Sequence, residues 1–300
     1  MDLEDTTIHE DSFEYDDRDI LYATAGKEGG RPVVVFYPLG SSRRCLSLVE
    51  DEALERGLWL ICCNRPGHGT SRPPTAPEDI TVAAWQLDTA VEDVKHLLDE
   101  LSIKRASLLF LCAGAPFALG FASKYPERTG KMLGIASWVS PADCEESLGF
   151  FRFASSLPSF ALDMFGGLWS LGQTVSKILP EPPTSFITSK LEECEKEQFH
   201  SDQGTRSKAE KLSIARSEIS SGGHLDLAVL MASHEDLDLD LPNPHNLRLI
   251  HSQFDEIIPI EAARWFSKEL GIGLVELPAN SHTGCLLMLN PAIPHALTFL

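Results

Sequence analysis

The chain has 300 residues and 43% of them are hydrophobic, which is enough for one large domain or for a domain that carries an insertion. Its formal net charge of -19 and its pI of about 4.9 argue against binding to nucleic acid or to anionic membranes, because both would repel it. No stretch approaches the roughly 20 apolar residues that span a bilayer, and the first residues lack the pattern of a secretory signal. We therefore expect a cytoplasmic protein whose partner is a small molecule, and the sequence predicts no particular oligomeric state.

The predicted elements alternate between strand and helix along most of the chain. Residues 13–25 predict a hairpin that turns near Asp16 and Asp17. Six short apolar runs, each bounded by turn residues, then predict strands buried on both faces: residues 33–37, 58–62, 106–111, 132–138, 247–251 and 273–277. Residues 81–101 predict the clearest helix, because apolar side chains recur there at intervals of three and four. The predicted fold class is α/β, with a mostly parallel sheet and helices on both faces.

A long segment without a clear strand interrupts this alternation. Residues 141–245 are far too many for an ordinary loop and predict an inserted helical cap, so that residues 1–140 and 246–300 form the two parts of the core. Residues 190–221 of this insertion are charged and helix-prone. Its first half is aromatic, and those side chains either line an apolar pocket or attach the cap to the core: Phe150, Phe151, Phe153, Phe160, Phe165 and Trp169.

The seven cysteines are an odd number, and no two of them form a Cys-x-x-Cys pair. This pattern predicts neither a zinc site nor a redox dithiol, and we expect no metal and no cofactor. Most of these cysteines are expected to be small buried apolar residues in a reducing compartment.

Cys112 differs from the other cysteines because of its neighbours. An apolar strand passes through it into Ala113 and Gly114 and then into a helix rich in Ala and Leu. This is the outline of a nucleophile elbow, a sharp turn that pushes one side chain into a cleft and turns the next backbone N–H toward an oxyanion. The alternative is a buried thiol at a strand end, since cysteine is among the most buried residue types.

Acyl transfer through a thiol also needs a base and an acid that orients the base. His282 lies in the loop after the last predicted strand, and Asp255 follows the strand before it. The carboxyl ends of parallel strands meet at one edge of a sheet, so both residues are expected beside Cys112. The alternatives are a surface-loop histidine and a turn-forming aspartate.

Several segments together resemble the α/β-hydrolase superfamily over nearly the whole chain. Cys112, Asp255 and His282 follow that family's order of nucleophile, acid and base. Residues 64–71 resemble the family's turn after the second parallel strand, and residues 122–128 resemble the end of the helix after the elbow. The cysteine is similar to the dienelactone hydrolase branch, which uses Cys-His-Asp.

The resemblance also implies an oxyanion hole and a second candidate acid. The backbone N–H groups of Leu39 and Ala113 correspond to the family's two oxyanion donors, and Leu39 lies where the family usually has a His-Gly pair. Some relatives place the acid after an earlier strand, which makes Asp143 the competitor of Asp255. Phe110 stands where the family normally has glycine, and it either widens the elbow or packs beneath it.

These observations predict a hydrolase that cleaves an ester, thioester or lactone of a hydrophobic small molecule through an acyl-cysteine. Two alternatives use the same fold. An acyltransferase would pass the acyl group from Cys112 to an acceptor other than water, and a catalytically inactive hydrolase-like protein would bind without reacting. Phe110 and the missing His-Gly pair motivate the second alternative.

Overall fold

The computed structural model describes residues 8–139, 190–217, 222–232, 241 and 243–300. Asp143 and the aromatic residues of the first half of the predicted cap lie outside these ranges. Within them the strands are β1 (His9–Tyr15), β2 (Arg18–Gly26), β3 (Arg31–Phe36), β4 (Leu58–Cys63), β5 (Ala106–Leu111), β6 (Thr129–Ile135), β7 (Leu247–Ser252) and β8 (Gly273–Leu277).

These strands form one sheet in the spatial order β1-β2-β4-β3-β5-β6-β7-β8. The predicted hairpin is confirmed as β1 and β2, which pair antiparallel across Asp16 and Asp17, both with φ of 54°. β2 is also antiparallel to β4, and every other neighbouring pair is parallel. The α/β fold with a mostly parallel sheet is therefore confirmed. The predicted strand at 132–138 was misplaced by three residues, because the chain leaves the sheet at Ala136, where φ is +46°.

The helices of the described ranges are α1 (Glu50–Glu55), α2 (Val82–Glu100), α3 (Ala115–Lys124), α4 (Glu193–Ser201), α5 (Gln203–Ser217), α6 (Gly223–Met231), α7 (Ile260–Leu270), α8 (His282–Leu286) and α9 (Ala292–Ala296). The predicted helix at 81–101 is confirmed as α2, and the Thr81 hydroxyl caps it by accepting from the Ala84 N–H at 3.2 Å. None of the helices in the described ranges is long and apolar enough to cross a bilayer.

Alternation along the strands divides the buried side chains into two cores. Val33 and Val35 of β3 belong to one cluster, whereas Val34 and Phe36 belong to the other. Successive strand side chains point to opposite faces, so each face of the sheet needs its own layer of helices. The second cluster takes in the apolar side of α2 and α3, and the first takes in α1 and the residues of α8 and α9.

Helices from the described part of the predicted cap pack against the core. The Asp226 carboxylate of α6 is fully buried and accepts two hydrogen bonds from the Arg65 guanidinium, at 2.9 and 2.7 Å. His68 Nε2 lies 3.0 Å from the same carboxylate, and the Gln86 amide donates to it at 3.2 Å. Burial alone would raise the pKa of Asp226, but the charges of Arg65 and His68 hold that pKa well below its usual range. The pairing therefore fastens the start of α6 to the turn after β4.

Candidate active site

Cys112 lies in a sharp turn between β5 and α3. Its φ is +48°, in the left-handed region that residues with a Cβ seldom adopt. A Cβ at Gly114 would lie 2.2 Å from the Phe36 carbonyl oxygen, so only glycine allows the turn to come this close to the end of β3. The Cys112 residue is 8% exposed. Strained backbone of this kind is found at functional sites, and here it sets a thiol at the carboxyl edge of the sheet.

Phe110, the unusual residue before the elbow, packs beneath the turn. It is fully buried and pairs in register with Gly134 of β6. A Cβ at Gly134 would lie 2.3 Å from the Phe110 ring atom Cε2. The space for the large ring therefore comes from the missing side chain on the neighbouring strand. Phe110 stands where the resembled family has glycine, and its ring fits because it lies beside Gly134 on the neighbouring strand. The left-handed turn at Cys112 is therefore preserved.

Asp255 and His282 meet at the same edge of the sheet. The His282 Nδ1 atom lies 2.7 Å from Asp255 Oδ2, and both side chains are buried. The other carboxylate oxygen of Asp255 accepts from the backbone N–H groups of Ile257 at 2.9 Å and Ile258 at 2.7 Å. These two bonds fix the carboxylate in its own loop, so the second oxygen is aimed at the imidazole.

The other side of the His282 ring faces the thiol. The Cys112 side chain forms a hydrogen bond with the ring and interacts with its charge. Burial disfavours the protonated ring, but the charge of the Cys112 sulfur and the hydrogen bond and charge of Asp255 outweigh it and raise the pKa of His282 to about 10. The ring is therefore held between a sulfur and a carboxylate, each of which favours the imidazolium.

His251 is a second histidine on the same carboxylate, and the sequence reasoning gave it no role. Its Nε2 atom donates to the Ile258 carbonyl at 2.8 Å and lies 3.3 Å from Asp255 Oδ2. Burial alone would raise the pKa of Asp255, but the hydrogen bonds from His251 and His282 hold that pKa well below its usual range. A histidine at the end of the strand that precedes the acid is the sequence signal that indicates such a contact.

Two further carboxyl groups missed by sequence reasoning contact the loop that carries His282. Glu256 accepts from the backbone N–H of His282 at 3.0 Å. Glu195, on α4, accepts from the backbone N–H of Ser281 at 3.1 Å. Glu195 has no local sequence signal, because it is one of many acids in a charged helical segment.

The two predicted oxyanion donors lie beyond strands that are paired in register. Phe36 pairs with Phe110, and Leu39 and Ala113 each come three residues after those partners. Ala113 is fully buried in the turn, and Leu39 is half-buried against the same core cluster. Their roles stay predictions. Within the described ranges no group of three or more His, Cys, Asp or Glu side chains is arranged to hold a metal ion.

Comparisons with known proteins agree with this architecture. Residues 39–165 match the family described as the alpha/beta hydrolase fold. An uncharacterized hydrolase of Bacillus subtilis (strain 168), YcgS, is 26% identical over 171 residues, which cover 55% of this chain and 54% of the relative. The match thus spans about half the length of that curated relative.

Two solved structures are similar over nearly the whole chain. A hydrolase from Pseudomonas aeruginosa PA01 is 16% identical with a TM-score of 0.65, and 97% of each chain is covered. A thermophilic esterase from Thermogutta terrifontis, solved with malate bound, is also 16% identical, with a TM-score of 0.62 and coverage of 95% of this chain and 94% of the esterase. At such identity the likeness concerns the fold. With the family match and the parallel sheet, it leads to one conclusion: the chain has the α/β-hydrolase fold.

Proposed function

We propose that the protein is a hydrolase that cleaves an ester, thioester or lactone of a hydrophobic small molecule through an acyl-cysteine at Cys112. The observation that carries the proposal is the arrangement of His282. One side of its ring is 2.7 Å from Asp255, and the other side is hydrogen-bonded to a cysteine in the left-handed turn. The names hydrolase and esterase borne by the similar proteins support hydrolysis as the reaction class.

In the first half-reaction the Cys112 sulfur attacks the substrate carbonyl carbon. The thiol proton passes to His282, or the pair already rests as thiolate and imidazolium, since a protonated imidazole stabilises a neighbouring thiolate. The developing oxyanion is held by the backbone N–H groups of Leu39 and Ala113. Collapse of this intermediate breaks the bond to the leaving group, which takes the proton from His282.

In the second half-reaction water releases the acyl group. His282 removes a proton from the water, the oxygen attacks the acyl-cysteine carbonyl, and the sulfur leaves with the electron pair of the broken carbon–sulfur bond. Asp255 keeps the imidazole in one orientation through both steps and stabilises the imidazolium. A nucleophilic amine or alcohol in place of water would make the same intermediate an acyl donor.

Apolar surroundings support a hydrophobic acyl group. Cys112 belongs to a buried apolar cluster that also contains Trp138 and Leu230, with the half-buried Leu39 packed against it. The Trp138 backbone N–H donates to the Cys112 carbonyl at 2.9 Å, and its indole N–H donates to the Leu230 carbonyl at 3.0 Å. Apolar side chains around the thiol favour an uncharged acyl chain, because a charged group would lose its hydration there.

Intact mass spectrometry after brief exposure to p-nitrophenyl esters of different chain lengths tests the proposal. Wild type should gain one acyl mass at Cys112 with a burst of p-nitrophenol, and Cys112→Ala should gain none. Cys194, which is exposed, supplies the control: Cys194→Ser should keep the burst. Adding amines or alcohols and analysing the products separates transfer from hydrolysis. No adduct on wild type with any donor would refute the acyl-cysteine and favour a binding protein.

A further inference from the structure

A buried carboxyl group from the predicted cap lies directly under the loop that carries His282. Glu195 belongs to α4 and is only 2% exposed, yet no Lys or Arg of the described ranges forms an ion pair with it. A buried carboxylate is costly unless donors surround it. What surrounds Glu195 is the segment just before His282.

The donors come from two places. Oε1 of Glu195 accepts from the Asn280 amide at 3.0 Å and from the Ser281 backbone N–H at 3.1 Å. Oε2 accepts from the Ser281 hydroxyl at 2.6 Å and from the backbone N–H of Glu192, the N-cap residue of α4, at 2.9 Å. Four donors match an acceptor-only group, and three of them belong to the His282 loop.

The contact continues from Ser281 into the helix that begins at His282. The Ser281 hydroxyl, which donates to Glu195, accepts from the Gly284 backbone N–H at 2.9 Å and caps α8. Gly284 itself makes room for Glu195, because a Cβ there would lie 1.7 Å from Glu195 Oε1. The carboxyl group and the first turn of α8 therefore fit together only with glycine at this position.

We propose that Glu195 is a positioning residue for His282, so that docking of α4 sets the imidazole against Cys112. The inference rests on the proposed function for its catalytic meaning. The network locks the residue before His282 by its hydroxyl and its backbone, and a shift of about 1 Å in a reacting group costs about 100-fold in rate. The predicted cap would thereby position the base.

The test measures alkylation of Cys112 by iodoacetamide as a function of pH, read from the peptide that contains Cys112 after digestion. In wild type iodoacetamide should alkylate Cys112 readily at pH 6, because His282 is placed to take the proton of the thiol. Glu195→Gln keeps the size of the side chain but replaces one accepting oxygen by an amide N–H₂ group. That group faces the donors that bind the carboxylate in wild type and cannot accept from them. We expect this variant to slow alkylation at pH 6 by about 10- to 100-fold and to move the pH profile of alkylation to higher pH.

Glu193→Gln is the matched control, since Glu193 is in the same helix but its side chain is 88% exposed. It should leave the alkylation profile unchanged. If Glu195→Gln does not fold, Gly284→Ala carries the test, because alanine favours the helix while its methyl group expels the Glu195 carboxyl. Other titratable side chains of the described ranges lie near the contact between Glu195 and the His282 loop: Cys112, His251, Asp255, Glu256 and Cys285. None of them is substituted in these variants.

The outcomes separate the two proposals. A wild type whose Cys112 is not alkylated at pH 6 and takes no acyl group refutes the proposed function. A wild type with a reactive Cys112, together with Glu195 and Gly284 variants that lose only thermal stability and keep the wild-type profile, refutes the positioning role alone. A displaced profile in each of these variants that folds, with an unchanged profile in Glu193→Gln, supports it.

Discussion

Gly134→Ala tests how the elbow tolerates a phenylalanine. The added methyl group would lie 2.3 Å from the Phe110 ring, 2.6 Å from Ser137 Oγ and 2.7 Å from Leu249 Cδ2. Ordinary carbon contacts are about 3.5–4.0 Å, so three buried neighbours must move. Overpacking of this kind costs about 1–3 kcal/mol, and we expect that loss in the free energy of unfolding.

A double-mutant cycle isolates the contact between the ring and the methyl group. Phe110→Ala alone empties a buried site and should cost about 3–5 kcal/mol. In the double variant the Gly134→Ala methyl group enters the space that the ring has left. The pair should therefore be less destabilised than the sum of the single variants, by about 0.5–3 kcal/mol.

Urea denaturation followed by circular dichroism measures these free energies, and the burst of p-nitrophenol reports on Cys112, two residues after Phe110. Gly273→Ala is the control. It is also a strand glycine, but among the residues that the structure describes the one neighbour within 4 Å of its added Cβ is Arg248 Cγ, at 3.8 Å. It should change stability by no more than about 0.5 kcal/mol. If Gly134→Ala is as stable as Gly273→Ala, or if the cycle is additive, the packing explanation of the elbow is wrong.

Three further predictions concern buried charges. Asp226→Asn leaves a guanidinium without its counter-charge and should lower the free energy of unfolding in urea by about 3–5 kcal/mol; a loss under about 1 kcal/mol, as at a surface ion pair, would contradict this. His251→Leu removes a hydrogen bond that lowers the pKa of Asp255, so an NMR titration of that carboxyl group should show a higher pKa than in wild type, and an unchanged pKa would count against it. Cys112→Ala removes the largest of the interactions that raise the pKa of His282, and an NMR titration of the ring should show this pKa falling from about 10. Because the pKa of His282 in the folded wild type exceeds the ordinary 6.5, its protonation stabilises the folded state fully below pH 6.5. Wild type should lose this contribution to the free energy of unfolding as pH rises through 10, and the variant should lose less.

The role proposed for α4 concerns the part of the predicted cap that the structure describes. Its described helices are joined to the core through buried polar contacts, Asp226 with Arg65 and Glu195 with Ser281. Both contacts end on loops at the carboxyl edge of the sheet, one after β4 and one before α8. The second of these contacts adjoins His282, so a movement of α4 would shift the residue before the proposed base.

Local patterns were enough to predict the sheet and the candidate site residues. A short run of β-branched and apolar residues between turn residues identifies a buried strand wherever it lies, and six such runs became β3 to β8. The ends of parallel strands share an edge, which is why residues as distant as Cys112, Asp255 and His282 were expected together. The exit of β6 from the sheet escaped prediction, because it depends on the left-handed turn at Ala136 that apolar patterning does not reveal.

The sequence by itself thus determined the strands, the long amphipathic helix and the order of the candidate catalytic residues, since each depends on neighbours in the chain. The tertiary structure decided that Phe110 lies beside Gly134 and that Glu195 fits beneath Gly284. It also brought His251 to Asp255, four residues further along the chain, a contact that requires the loop after β7 to turn back toward the strand. Ser281 and Glu195 are 86 positions apart, and their contact exists because two surfaces of matching shape and hydrogen-bonding capacity meet. No periodicity within either segment encodes such a match, so it becomes visible only when the chain has folded.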